Sequence, residues 1–344
     1  MKESAPPTRR NIVLTASTPE ANKFVRNMIH QVIQAGRRFS RGMAHGWVAV
    51  LLLATGCSIR KMAVNTLGDA LAAGGTAFAS DDDPELVKAA APFSLKLMES
   101  LLAESPNHPG LLFAAASGFT QYAYAFVQQE GDEMEEKDLA AAKAMRGRAR
   151  RLYLRARNYG LRGLEARHRG FEKALRENPK AAVESAGAGD VPLVYWTAVS
   201  WAAAISVSKD DPDLIGDLPF VEALVDRALE LNEGYDHGAI HSFLISYEMS
   251  RPVGEGDPAD RARRHFDRAM ELGGGRLAGP LVALAESVAV QKQDAREFRS
   301  LLDRALAINP DAQPEWRLAN LVMQRRARWL LSRTDELFLT PEKQ

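Results

Sequence analysis

Two histidines four residues apart have the spacing that most directly suggests chemistry. His237 and His241 would share one face of a helix, and with Asp236 they could bind a metal ion. A zinc-peptidase motif would need a glutamate directly after the first histidine, where this chain has glycine. A further ligand would have to be a distant glutamate, Glu248 or Glu286. Helix capping and interior hydrogen bonding are the simpler explanation for both histidines, so we predict no metal site.

Other catalytic patterns are missing from the sequence. It contains no G-x-S-x-G motif and no phosphate-binding loop with Lys and Ser/Thr. Its single cysteine, Cys57, lies beside no convincing histidine partner and at the end of an apolar run. We therefore predict no catalytic residue, no cofactor and no enzymatic activity.

A group of aromatic residues is the second candidate. Tyr195, Trp196 and Trp201 lie in one apolar segment, and Tyr247 and Trp316 lie in segments further along. In stacked helical repeats the first helix of each repeat lines the concave face, where these proteins bind partners. Aromatic walls with a few polar groups are typical of sites for organic ligands. Plain core packing is the alternative for each of these residues.

Polar residues on the same predicted helices would complete such a site. Lys209, His241 and Arg317 are placed to meet a ligand carboxylate. Helix-terminal capping and ion pairs between helices are the alternative for all three.

The elements that must position these residues are helices. After residue 57 the chain is rich in Ala, Leu, Arg and Glu, and alternation with a period of two is scarce. Gly and Pro separate segments of helical length. Segments 111–127 and 191–207 are apolar almost all round, which is typical of buried helices, a membrane span being the alternative. The predicted fold class is all-α.

Degenerate repeats indicate how the helices are arranged. The second helix of a tetratricopeptide (TPR) repeat has a small residue, a bulky residue four later, Ala three after that and Pro five further on. The clearest copies are Ala262, Phe266 and Ala269, and then Phe298, Leu302, Ala305 and Pro310. Weaker copies lie at 98–106, 167–179 and 225–233. We predict a TPR-like α-solenoid of degenerate helix-turn-helix repeats with insertions.

Charge is unevenly distributed along the 344 residues. The 44 basic and 44 acidic residues give a formal net charge of zero. Residues 1–57 hold eight of the basic and two of the acidic ones, which leaves 36 basic and 42 acidic residues in the remainder. An acidic remainder argues against a nucleic-acid partner. For the arginine-rich stretch 145–176 we predict a solvated helix face balanced by nearby acids, with phosphate or nucleic-acid binding as the alternative.

The first 57 residues have the pattern of a secretory leader. Basic residues precede the apolar run 47–54, which is shorter than the ~20 residues of a membrane span. The run ends Leu53-Ala54-Thr55-Gly56-Cys57, which resembles a lipobox in which the cysteine is lipidated. We expect residues 1–56 to be the leader, with 1–27 an upstream extension, and residues 57–344 to form a single TPR-like domain. A buried free thiol is the alternative for Cys57.

Several separated motifs resemble the T component of TPR-associated TRAP transporters. They occur in the same order as in that family, and the resemblance extends over nearly everything after residue 57. The motifs are residues 159–164, Tyr195-Trp196-Thr197 through 205–210, 236–243, 284–290 and Glu315-Trp316-Arg317-Leu318-Ala319-Asn320.

The resemblance implies a periplasmic, membrane-anchored lipoprotein with a pore or cleft in each protomer and assembly as a homotrimer. The implied partners are the periplasmic substrate-binding P component of a TRAP transporter and a hydrophobic or organic-acid ligand. A generic TPR scaffold lipoprotein for envelope protein assembly is the alternative. The residues predicted to contact the ligand are Tyr195, Trp196, Trp201, Lys209, His237, His241, Tyr247, Glu286, Trp316, Arg317 and Asn320.

Overall fold

The structure is a computed structural model that describes residues 65–71, 75–251 and 256–339. The chain divides into two compact units, Met1–Arg60 and Lys61–Gln344, and all described residues lie in the second. The predicted leader, the lipobox and Cys57 therefore lie outside the described residues.

Helices are the regular elements of the described residues, which contain no strand, and the predicted all-α class is confirmed. Helix α1 spans residues 65–71. The others are α2 Gly75–Ala79, α3 Pro84–Glu104, α4 Pro109–Ala123, α5 Gln129–Met134, α6 Leu139–Arg167, α7 Phe171–Glu177, α8 Pro179–Val183, α9 Val191–Ser206, α10 Pro212–Ile215, α11 Leu218–Leu231, α12 Ala239–Tyr247, α13 Pro258–Leu272, α14 Ala278–Leu284, α15 Ala295–Leu306, α16 Arg317–Ser332 and α17 Thr334–Leu337. π-helical turns at Tyr124–Gln128 and Ala285–Ala289 follow α4 and α14.

Aspartate caps fix where many of these helices begin. Asp83, Asp138 and Asp257 each accept a hydrogen bond from a backbone N–H in the first turn of α3, α6 and α13. Such a cap satisfies a donor that has no partner within the helix and contributes about 1 kcal/mol. Proline occupies the first turn of α3 and α13, where its missing N–H costs nothing.

The two segments predicted to be apolar helices form α4, with the π turn after it, and α9. Both are largely buried, and α6 packs against both of them. The backbones of α6 and α9 approach closely because Gly160 lies directly against Thr197. No helix within the described ranges is long and apolar enough to cross a membrane.

Five helices contact one another in chain order, and the last of them returns to the segment after the first. Helix α4 contacts α9, α12 contacts α14, and α14 contacts α16. The hydroxyl of Tyr195 on α9 donates to the carbonyl oxygen of Ala239 on α12 at 3.2 Å. Helix α16 then returns to the segment after α4, where the sulfur of Met323 lies 3.8 Å from the hydroxyl of Tyr124. The series α4, α9, α12, α14 and α16 therefore closes on itself.

The residues that suggested repeats occupy core positions. Ala262 and Ala269 on α13 and Phe298, Leu302 and Ala305 on α15 are all buried. All of them except Ala269 belong to one hydrophobic cluster formed by α12 to α16. The sequence pattern therefore identified buried positions on α13 and α15.

Candidate functional site

Five aromatic side chains from α9, α12 and the turn between α11 and α12 form an aromatic cluster: Tyr195, Trp196, Tyr235, Phe243 and Tyr247. Tyr195 is its centre, with ring centroids 5.2 Å from Trp196, 5.5 Å from Tyr235 and 6.5 Å from Phe243. Phe243 in turn stacks on Tyr247 at 5.4 Å. Tyr195 and Tyr247 are buried, whereas the other three are half-buried and leave part of each ring accessible.

The phenols of the cluster are neutral hydrogen-bonding groups. Burial raises the pKa of Tyr235 to about 12, and burial also raises the pKa of Tyr195 and of Tyr247. The hydroxyl of Tyr195 already donates to a backbone carbonyl. The buried hydroxyl of Tyr247 has no hydrogen-bond partner among the described residues. The cluster thus combines apolar ring surface with a few uncharged polar groups, which is the composition of organic-ligand sites.

An unusual turn connects this cluster to Trp316. Asp236, His237 and Gly238 all have left-handed backbone conformations, with φ of 45°, 56° and 89°. A non-glycine residue in this region costs on the order of 1 kcal/mol, so two in succession must be held by their surroundings. The turn places Tyr235 on Tyr195 and the ring of His237 edge-on to Trp316, with centroids 4.7 Å apart.

The same turn corrects the prediction that His237 and His241 share one helix face. Helix α12 begins only at Ala239, so His237 lies outside it in an exposed turn. His241 is buried and points elsewhere: its Nδ1 lies 2.8 Å from Nδ1 of His265, and its Nε2 lies 3.3 Å from Glu233. No group of three or more His, Cys, Asp or Glu side chains in the described residues is arranged to hold a metal ion.

His241 and His265 form a neutral pair. Burial, with a smaller contribution from the neighbouring His241, lowers the pKa of His265 to about 4. Burial also lowers the pKa of His241, although its hydrogen bond to Glu233 opposes the shift. With both rings neutral, one Nδ1 donates to the other across the short contact. Interior hydrogen bonding, the simpler alternative for His241, is therefore what the structure shows.

Three predicted ligand contacts have structural partners outside the cluster. Trp201 is buried, donates from Nε1 to Asp217 at 3.0 Å and packs on Phe220. Arg317 lies 2.8 Å from Asp311 and donates to a backbone carbonyl of residue 80.

Asn320 joins α16 to the start of α14. Its amide oxygen accepts from the backbone N–H of Ala278 at 2.9 Å, and its nitrogen donates to the carbonyl oxygen of Arg276 at 3.0 Å.

The other two polar predictions also lie away from the aromatic rings. Glu286, in the second π turn, pairs with the guanidinium of Arg326. Lys209 is exposed beyond the end of α9. The structure thus brings together Tyr195, Trp196 and Tyr247, and separately His237 and Trp316. Sequence reasoning missed Tyr235 and Phe243; the spacing of four between Phe243 and Tyr247 was the available signal for the second.

The arginine-rich stretch is partly balanced by acids, as the solvated-face prediction required. Arg146 pairs with Glu135 and Asp132, and Arg167 lies 2.7 Å from Asp190. These pairs join α6 to the segments before and after it.

Two comparisons place the chain among known proteins. A family model described as "TRAP transporter T-component" matches residues 80–338. An uncharacterised protein of Treponema pallidum (strain Nichols) is 28% identical over 309 residues, an alignment that covers 85% of this chain and 96% of that protein.

Proposed function

The chain belongs to the TRAP transporter T-component family, and from this membership we propose that it is a lipid-anchored accessory protein that binds the periplasmic substrate-binding P component. The observation that carries the proposal is the extent of the family match. Residues 80–338 include every helix from α3 to α17, the aromatic cluster and the contacts between α16 and the segment after α4. An accessory transport role therefore involves the whole helical domain.

The aromatic cluster supports the second part of the proposal, an organic ligand. Trp196, Tyr235 and Phe243 offer partly accessible ring faces, and exposed His237 lies at the end of the same turn. Such a surface suits a hydrophobic molecule or an organic acid whose polar end meets Tyr235 or His237. The proposed ligand-contacting residues are the five of the cluster together with His237 and Trp316. Trp201, Lys209, Glu286, Arg317 and Asn320 have no part in this site.

The anchor and the assembly complete the proposed arrangement. Cys57 would carry the lipid after removal of residues 1–56, which holds the helical domain at the periplasmic face of a membrane. Multiple acylation gives a stable hold that one acyl chain does not. Helices α9 to α16 would stack as TPR-like repeats, and three copies would assemble as a homotrimer.

Capture from the native host tests the transporter role. The full chain, tagged at its C-terminus, is extracted from host membranes in mild detergent, and the bound proteins are identified by mass spectrometry. We expect a periplasmic substrate-binding protein of a TRAP system to be enriched over an unrelated tagged lipoprotein. Recovery of envelope assembly proteins with no TRAP component would instead support the general scaffold.

A matched pair of variants tests the ligand site. Trp196→Ala removes accessible ring surface from the cluster, whereas Trp329→Phe alters a distant tryptophan on α16 and keeps an aromatic ring. Native mass spectrometry of the extracted proteins reports small molecules that remain bound. Loss of a bound species in the first variant alone is expected. If both variants lost the bound molecule equally, or neither lost it, the cluster would not be the ligand site.

The anchor is tested by Cys57→Ser. The wild-type chain should partition with membranes and carry a mass increase on the peptide that begins at residue 57. The variant should lack this mass increase. An unmodified, unprocessed Cys57 in the wild-type protein would rule out the lipobox prediction.

A further inference from the structure

Four exposed arginines form a row along one face of α6: Arg148, Arg151, Arg155 and Arg162. Their spacings of three, four and seven residues keep them on the same side of the helix. At 1.5 Å per residue the row is ~21 Å long. We call these four residues the arginine row.

Aromatic rings hold three of these guanidinium groups in place. Arg148 lies 5.9 Å from the ring centroid of Tyr122, Arg155 lies 5.4 Å from that of Phe119, and Arg162 lies 5.4 Å from that of Tyr159. The rings of Phe119 and Tyr159 themselves stack at 6.0 Å. Cation–π contacts of this kind restrict a side chain that would otherwise sample many rotamers. The charges are therefore positioned before any partner arrives, which lowers the entropic cost of binding.

The charge of the row is largely uncompensated. Glu99 is the carboxylate nearest to it, 3.4 Å from Nε of Arg155, and it accepts a hydrogen bond from the hydroxyl of Tyr159 at 2.7 Å. Arg148, Arg151 and Arg162 have no carboxylate within ion-pair distance in the described part of the chain. Arg162 donates instead to the backbone carbonyl of residue 106 at 2.8 Å. A row with one acid and four cations leaves guanidinium donors available to an external anion.

The row borders a groove with a volume of about 550 Å³. Three arginines of the row and four other residues line it: Arg151, Arg155 and Arg162 with Glu99, Leu154, Asn158 and Tyr159. A concave site of this size admits a segment of polypeptide, whereas the flat surface of a lipid bilayer contacts side chains that project outward. Arg155 and Arg162 lie against rings instead, which favours an occupant that enters the groove.

From this geometry we propose that the arginine row is a docking site for an acidic polypeptide segment of a partner protein. The planar guanidinium group matches a carboxylate with two parallel hydrogen bonds, so Asp and Glu side chains at helical or extended spacing fit the row. Residues 58–344 carry 36 basic and 42 acidic side chains. A long polyanion such as nucleic acid would meet this net negative surface beyond the row, and a short acidic segment would not. The site is separate from the aromatic cluster and does not depend on the transporter role.

Fluorescence anisotropy with labelled hexaglutamate tests the proposal on the full-length protein in detergent. We expect saturable binding that weakens as ionic strength rises. The variant Arg151→Gln/Arg162→Gln should bind at least tenfold more weakly. The control Arg296→Gln/Arg299→Gln removes the same charge from two exposed arginines of α15 and should bind as the wild type does.

Three results would overturn the proposal. They are no binding of hexaglutamate to the wild type, equal weakening in both double variants, and equal binding of hexalysine. Phosphatidylglycerol vesicles are tested in parallel. Vesicle binding that depends on Arg151 and Arg162, without hexaglutamate binding, would assign the row to a membrane surface instead. Because these residues are exposed, circular dichroism should show unchanged folding in both variants.

Discussion

Arginines are paired with carboxylates in one region of this molecule and mostly unpaired in another. Arg325 and Arg326 on α16, and Arg333 directly after it, each contact a carboxylate of the acidic segment 132–136, at 2.7, 2.9 and 2.8 Å. We call these three pairs the arginine clasp, since they join the last long helix to the segment after α4. On α6, three of the four arginines of the row have no carboxylate partner among the described residues. In the clasp the arginine charges join two segments of the fold, and in the row they remain accessible to solvent.

An aromatic ring beneath the guanidinium group is common to both regions. Arg326 lies 4.2 Å from the ring centroid of Trp329, and Arg333 lies 4.8 Å from the same ring. Ring contacts therefore do not separate the two roles. Burial and the supply of carboxylates do, because the side chain of Arg326 is 8% exposed and has both Asp132 and Glu286 as partners. A buried cation without such partners would be strongly destabilising.

The substitution with the largest expected effect on stability breaks the clasp. Arg326→Met leaves Asp132 and Glu286 without their shared cation, and we expect a loss of about 3 kcal/mol in the free energy of unfolding. Arg328→Met, at an exposed position on the same helix, should change it by less than about 0.5 kcal/mol. Urea unfolding of the two variants measures the difference. Equal stabilities would mean that the clasp does not stabilise the packing of α16 against the segment after α4.

The next effect tests whether α6 is fixed firmly enough to preorganise the row. A Cβ on Gly160 would lie 2.1 Å from Oγ1 and 3.0 Å from Cβ of Thr197, so Gly160→Ala must separate α6 from α9. We expect a loss of about 2 kcal/mol in unfolding free energy.

Gly147→Ala is the matched control for this change. The nearest atom to its new Cβ would be a side-chain nitrogen of Arg151 at 3.8 Å, so there is room for the methyl group. This variant should gain up to about 1 kcal/mol because alanine is the better helix former. Thermal unfolding of both variants should give shifts of opposite sign. A tolerated alanine at Gly160 would contradict the close approach of the helices.

A pH experiment separates the histidine pair from both arginine regions. Guanidinium groups in the clasp and in the row keep their charge over the pH range in which the histidines titrate. The pKa of His265 is lowered to about 4 in the folded protein, against about 6.5 in the unfolded chain. The folded value is the lower one, so the associated stability is present above pH 6.5 and is lost as the pH falls toward 4. Arg264 and Arg251 disfavour protonation, whereas Glu248 favours it.

The measurement compares the wild type with His265→Asn at pH 7 and pH 5. The wild type should lose on the order of 2 kcal/mol more in unfolding free energy than the variant across this interval. Asparagine retains a hydrogen-bonding side chain and does not titrate, so contributions from groups that are not in contact with residue 265 cancel. Parallel losses in the two proteins would show that His265 does not titrate as described.

The smallest expected effect concerns the row itself. Arg151→Gln/Arg162→Gln should change the free energy of unfolding by less than about 0.5 kcal/mol, because these exposed side chains form no ion pair in the described structure. Chemical denaturation provides the measurement. A loss as large as that of Arg326→Met would make the row a structural element and would erase the contrast with the clasp.

Local patterns predicted the helices well. The apolar segments 111–127 and 191–207 correspond to buried helices, and Phe298, Leu302 and Ala305 occupy the core as their repeat spacing indicated. Periodicity succeeds here because a helix places residues three and four apart on one face whatever the rest of the chain does.

The candidate site was predicted less completely. Tyr195, Trp196 and Tyr247 were identified, but Trp201, on the same helix, packs on Phe220 away from the cluster. The spacing of His237 and His241 failed because three left-handed residues, His237 among them, precede the helix. Such a backbone is stabilised by contacts with distant segments, which a local pattern does not contain.

The sequence by itself determined the all-α class, the buried faces of the helices and the excess of arginine on α6. Only the tertiary structure decided which arginines are neutralised. Arg325 and its partner Glu133 are 192 residues apart, whereas three of the four arginines in the row have no carboxylate partner among the described residues, although acidic residues flank α6 in the sequence. The physical reason is that an ion pair needs its two groups within about 4 Å, and that distance is set by how the helices pack.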